Sequence, residues 1–236
     1  MGIGDLSTAS LTPCLDRDLP RFLRELSLNN NKDWFDAHRD RYQESYVGPA
    51  LALVGAMAEP LAALDPPLTA SPKVNGSLRR INRDVRFSKD KRPYSPMLHL
   101  IFYTGGRANH GPGIHVVVGS DHFGFGGGHW AFEPAQLEAY RAAVTTKAGA
   151  KGLLAAFDAA AGVGCIPDEP QLSRPPRGYQ AEEPAATLLR RKGMVVRTGD
   201  LAIPDELFGP EAPAFLLARI KPLMPLIAWL NLHVFA

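Results

Sequence analysis

From Leu78 to Tyr94 the chain reads LRRINRDVRFSKDKRPY, with seven basic residues (Arg79, Arg80, Arg83, Arg86, Lys89, Lys91, Arg92) against Asp84 and Asp90. This stretch carries +5 while the whole 236-residue chain carries +2, so the remainder sums to −3. Like charges held this close repel one another unless acids or an anionic ligand offset them. Arginine's planar fork matches phosphate and carboxylate, so the chemistry implied is anion capture. A second basic cluster lies between Arg174 and Lys192. Its Arg174, Arg177, Arg190, Arg191 and Lys192, less Glu182 and Glu183, leave +3. Two such clusters repel if brought together unless something negative sits between them. A shared site would therefore place Arg80, Arg83 or Arg86 within about 10 Å of Arg177 or Lys192. The residues expected to hold the anion are Arg80, Arg83, Arg86, Lys89, Lys91, Tyr94, Arg177, Tyr179 and Lys192.

Histidine is the other reactive type in quantity, five of seven falling between His99 and His129. They show no HxH, HxxxH or HExxH spacing and no acid placed to complete a ligand set, so no metal is expected. His115 alternates with strand-like apolar residues and is a candidate acid/base group, as is Asp84 within the basic stretch. The glycine runs Gly105-Gly106 and Gly126-Gly127-Gly128 lack the phosphate-cradling spacings and read as turn chemistry. With no nucleotide fingerprint, no GxSxG and no cysteine in a nucleophile signature, no cofactor is expected.

The elements that must position these residues follow from pattern. A helix starts near Asp18, with Pro20 in its first turn and Phe22, Leu23 and Leu26 on its apolar side. Asn31 is placed to cap a second helix carrying Trp34, His38 and Tyr42 on one face and an acidic stripe of Asp33, Asp36 and Asp40. Pro49 opens a third helical run, with Leu51, Val54, Ala58 and Leu61 at helical spacing, ended by Asp65-Pro66-Pro67. Read as a strand, the basic stretch turns Ile81, Arg83, Val85 and Phe87 to one face, and Arg83 inward then requires an acid or anion. The acidic stripe is one source of such acids. Strands are expected at Met97–Tyr103, Ile114–Val118 and around Phe123–Trp130, with Gly193–Arg197 as one more. Helices are expected from Glu133-Pro134, over Leu153–Ala160, over Ala185–Lys192 and from Pro213 onward. Helices, then strands, then helices argue for one α+β domain over residues 18–236, its antiparallel or mixed sheet flanked by N-terminal and C-terminal helices. Residues 1–17 read as a loose arm.

Composition sets outer bounds. With 45% hydrophobic and 21% charged residues the chain resembles a soluble globular protein. Cys14 and Cys165 suggest no disulfide framework and fit a reducing compartment. The N-terminus lacks the pattern of a signal peptide, and the apolar run Leu223–Ala236 is short for a membrane span, so the expected location is the cytoplasm with no membrane partner.

Three segments, NNNKDWFDAHRDRY, RINRDVRFSKDKRPY and PPRGYQAEEPAATLLRRK, in that order and spacing, resemble a bacterial family catalogued as domain of unknown function 2461. The likeness spans about Phe22 to Val196. It implies identity but no activity. Two positions depart from the family's pattern: Ser95 stands where relatives often carry lysine, and Glu183 where they often carry histidine.

The function expected is binding of, and chemistry on, a phosphorylated or carboxylated small molecule held by arginines. A nucleic-acid module is the alternative, with Phe87 and Tyr94 beside the basic run for stacking. A structural protein whose arginines only form ion pairs is the third reading.

Overall fold

The computed structural model describes residues 12–106, 110–179 and 181–236. The N-terminal third is helical: α1 (Leu19–Leu28), α2 (Lys32–Ala37), α3 (Arg39–Arg41), a π turn (Tyr42–Val47) and α4 (Gly48–Ala62). Pro20 lies in the first turn of α1, and Leu19, Phe22, Leu23 and Leu26 are its buried face. The Asn31 side chain accepts the Trp34 N–H at 2.9 Å and caps α2, as its position suggested. α4 buries Ala50, Leu53, Val54, Met57 and Leu61, whereas Leu51 and Ala58 are only half-buried. Of the expected arm, residues 1–11 lie outside the described residues. The next few are packed: Leu15 is buried and donates its N–H to Leu207 O at 2.8 Å.

Five antiparallel strands form one sheet in the order β1-β2-β3-β5-β4: β1 (Leu98–Tyr103), β2 (Gly113–Val118), β3 (Phe123–His129), β4 (Ile166–Pro167) and β5 (Met194–Arg197). β-Branched and aromatic residues alternate along the first three, so the register sorts side chains into two faces. Leu98, Leu100 and Phe102 pair with Val118, Val116 and Ile114, and these pair onward with Phe123, Phe125 and Gly127. That face is the core. It meets α8 (Ala212–Ile220) and α9 (Met224–His233), with α5 (Pro134–Val144) and α6 (Lys147–Ala161) packed behind. The other face carries His99, Ile101, Tyr103, His115, Val117, Gly124, Gly126, Val195 and Arg197, and is open. The whole is a single α+β domain.

The structure departs from the expectation in several places. The basic stretch is not a strand. It makes isolated bridges, Leu78 with Val74 and Leu100 and Asn82 with Tyr94, because Asp84 and Asp90 each fold the chain back through a side-chain bond to the N–H two residues on. Phe87, expected inward, is 94% exposed. Helix α7 spans only Ala185–Leu188, and the chain then turns into β5 with Arg191 buried. Gly126 and Gly128 lie within β3 and not in a turn; Gly128 has φ +134, and a Cβ at either would meet the β5 backbone. The C-terminal helical run extends from Ala212 to His233, longer than the 14 apolar residues suggested, and is long and apolar enough to cross a membrane by length and composition. In this fold it buries Leu216, Ile220, Leu223, Leu226, Ile227 and Leu230 in the core.

Candidate functional site

The segment Ser77–Arg79 lies along the outer edge of β1, with Ile101 N–H donating to Ser77 O at 2.8 Å and Arg79 N–H donating to His99 O at 3.1 Å. This lattice carries the arginines to the rim of the open face. Two cavities meet there. A groove of about 850 Å³ crosses the open face, lined by Tyr103, His115, Gly124, Trp130 and Arg197 among others. A polar cavity of about 530 Å³ is lined by Asn75, Arg80, Asn82, Arg83, Asp84, Ser95 and His99. Arg79 and Ile101 line both.

Between the cavities sit His99 and His115, diagonal neighbours on adjacent strands. His99 Nδ1 and His115 Nε2 are 3.0 Å apart, and the rings stack with centroids at 5.0 Å and 17° between planes. Burial lowers both, with the positive Arg79 adding to it: His99 to about 3, where His115 contributes too, and His115 to about 4. Both rings are therefore neutral at neutral pH, one donating and the other accepting the shared proton.

The fold pairs part of the positive charge locally, through Asp84 and Asp90. Arg86 grips Asp84 through Nε and Nη2, the latter at 2.7 Å, and that hydrogen bond is the main reason Asp84 is held below the usual carboxylate range. Asp84 is thus an ion-pair partner and not an acid/base group at neutral pH. Arg92 pairs with Asp90 at 2.8 Å, and Arg83 bonds both Asp90 and Arg92 O at 2.9 Å. Lys91 Nζ donates to Val85 O at 3.0 Å. Lys89 is exposed. Arg79 and Arg80 have no carboxylate within ion-pair distance among the described residues. The acidic stripe does not supply one: Asp36 pairs with Lys32 and Arg39 on its own helices.

Tyr94 is buried at 6% exposure and stacked on Phe35 at 4.2 Å, so its ring is a core residue and is not offered to a ligand or a base. The second basic cluster lies elsewhere. Lys192 precedes β5, and Leu172 N–H donates to Arg190 O. Counting strand spacings from Ser77–Arg79 across β1, β2 and β3 to β5 separates the two backbones by roughly 19 Å. None of Arg177, Tyr179 and Lys192 lines either cavity. Tyr179 lies under the Arg141 guanidinium at 5.8 Å, while Arg191 is buried and donates to Asp168 O.

A family model described as a conserved hypothetical protein, domain of unknown function 2461, matches residues 18–229. The chain belongs to this family. Curated proteins and solved structures give no match. Within the matched span lie Ser95 and Glu183, the positions at which the resemblance implied departures from the family's usual residues. Ser95 lines the polar cavity. Glu183 accepts Thr187 N–H at 3.1 Å and Thr187 Oγ1–H at 2.9 Å, tying down the first turn of α7.

The sequence reading singled out His115 but passed over His99 and Arg79. The available signal was the pair of strands LHLIF and IHVVV, each placing one histidine among residues that point the other way. Bringing the two rings together needed the β1–β2 register, which neither strand carries by itself.

Proposed function

We propose that this protein binds a small organic anion, a phosphorylated or carboxylated molecule, across the two joined cavities. Its charged group would rest on Arg79 and Arg80 and its body along the open face of the sheet. The carrying observation is that Arg79, with no carboxylate partner among the described residues, lines both cavities, one of them large enough for a small ligand. Neighbouring arginines are matched with Asp84 and Asp90; these two are not, and their exposed guanidinium groups at the rim of the cavities are free to take an anion.

The test is thermal unfolding against a panel of phosphate monoesters and small carboxylates. A ligand at 100 times its Kd stabilises by about 2.7 kcal/mol, which is about 5–11 °C for a domain of this size. Arg79→Ala should abolish that shift. Equal shifts in wild type and variant would reject the site.

One observation favours the nucleic-acid alternative: Phe87 stands 94% exposed with Arg86 5.8 Å from its ring and Lys89 and Lys91 nearby in sequence. Oligonucleotide binding that weakens steeply with salt and is lost in Phe87→Ala would support that reading instead.

A further inference from the structure

The histidine pair has an arrangement that anion binding alone does not use. The inner nitrogens, His99 Nδ1 and His115 Nε2, are bonded to each other at 3.0 Å. The outer nitrogens, His99 Nε2 and His115 Nδ1, have no hydrogen-bond partner among the described residues. Neither is a sealed, unsatisfied atom; only Arg141 Nε and Arg191 Nε are, among the described residues. Both outer nitrogens therefore reach open space. His99 lines the polar cavity and His115 lines the large groove. Two imidazoles in series thus link the polar cavity to the groove that adjoins it.

We infer that His99 and His115 work as one acid–base unit for a ligand whose anionic group rests on Arg79, taking up a proton from the polar cavity and delivering it to the ligand's body in the groove. The inference rests on the anion-site reading above. The proton count balances. One proton enters at His99 Nε2, the shared proton shifts from His99 Nδ1 to His115 Nε2, and a third leaves His115 Nδ1 for the ligand. No oxidant or co-reactant is needed, and each ring ends in the opposite neutral tautomer.

Arg79 makes the unit responsive to its ligand. With the site empty, burial and the Arg79 charge hold both rings unprotonated. An anion on Arg79 removes the repulsive contribution and adds an attractive one, so the pair's affinity for a proton rises when the ligand is present, against the burial that is the larger cause of its low value. The other charged or titratable groups facing these cavities are Arg80, Arg83 and Asp84 on the polar side, and Tyr103, His122, His129, Asp200 and Arg197 on the groove side. Arg197 is matched by Asp168 at 2.6 Å, and His122 by Asp121 at 3.0 Å.

Sulfate is the probe, because it stays doubly charged across the range and any proton taken up belongs to the protein. Titration calorimetry in two buffers of different ionisation enthalpy, between the free pair's titration near pH 4 and neutrality, reads that uptake. The expected result is uptake approaching one proton per sulfate, with affinity rising toward tenfold for each pH unit of acidification. His99→Gln and His115→Gln should each remove the uptake, while His38→Gln, which lines neither cavity, should keep it. Sulfate binding with no uptake, or with uptake unchanged in both variants, overturns the histidine unit and leaves the anion site standing. Absence of any Arg79-dependent sulfate binding overturns the anion site and this inference with it. Imidazole nitrogen-15 shifts of the intact protein, with and without sulfate, answer the same question should a variant fail to fold.

Discussion

The side chain of Asn30 behaves as a one-residue strand. Its Nδ2 donates to Tyr94 O at 2.9 Å, and its Oδ1 accepts Tyr94 N–H at 3.0 Å. The bond joins the end of the basic stretch to the turn between α1 and α2, beside the Phe35–Tyr94 stack. Asn30→Ala removes two hydrogen bonds worth about 1 kcal/mol each and leaves both backbone groups of a buried residue without protein partners. Asn30 is half-buried, so water replaces part of the loss, and the expected cost is about 2–3 kcal/mol. Asn30→Asp keeps the acceptor for Tyr94 N–H but sets a carboxylate against Tyr94 O, so at neutral pH it should cost at least as much. Its penalty should shrink under acid. A carboxyl that must donate when folded has its folded pKa raised above about 3.9, and protonation restores the bond as pH falls through that raised value. The assay is urea unfolding of wild type, both variants and Asn29→Ala, whose exposed amide makes only a local bond to Glu25 O. The midpoint should fall for the Asn30 variants at unchanged m-value, with Tm lower by about 4–12 °C. An Asn30→Ala loss under about 0.5 kcal/mol, the range of an ordinary surface change, would refute the clamp.

Arg83 and Arg92 share Asp90, but Arg83 is the less exposed side chain (29% against 55%) and also holds Arg92 O. Arg83→Ala should cost about 1–2 kcal/mol and Arg92→Ala under about 1 kcal/mol in thermal unfolding, and equal losses would place Arg83 at the surface energetically. Arg41 ties α3 to α1 through Asp18 and Glu25, each at 2.5 Å. The Arg41 hydrogen bond is the main cause holding the Asp18 carboxyl below its ordinary value. A depressed folded pKa gives stability that is present above the unfolded value near 3.9 and lost as pH falls through the folded one. Arg41→Met should therefore cost roughly 1–3 kcal/mol at neutral pH, discounted for partial exposure, and flatten the acid limb of the stability curve. An unchanged acid limb would show that Asp18 does not sense Arg41.

The fold was legible wherever one local signal decided the outcome. Asn31 before Lys32-Asp33 announced a cap, and LHLIFY and IHVVV announced strands by period alone. The basic stretch misled because alternation in INRDVRF imitates a strand, while Asp84 and Asp90 each bend the chain through a side-chain bond that periodicity ignores. The charge excess was real: Asp84 and Asp90 pair within the stretch but are already counted in its +5, and the paired acid of the stripe, Asp36, is taken by Lys32 and Arg39. The site was half legible: Arg80, Arg83 and His115 line the cavities. Arg79 and His99 were obscured because their importance comes from cross-strand register, a long-range property. The two basic clusters share composition but lie toward opposite edges of the sheet, a separation set by the β1-β2-β3-β5-β4 order.

The seating of Ser77–Arg79 along β1 also bears on self-association. β1 is the outermost long strand, six largely apolar residues whose free edge would otherwise offer unpaired N–H and C=O groups to another chain. Ser77, Leu78 and Arg79 occupy part of that edge, and Thr69 bridges Tyr103 at its far end. Residues 79–92 then array net positive charge beside it, which repels a second copy approaching in the same way. The opposite edge is only two residues long and ends in Pro167, which has no N–H to donate. Detaching the arginine segment would leave LHLIFY as an open template, so solubility under mild denaturant should fail at this edge first.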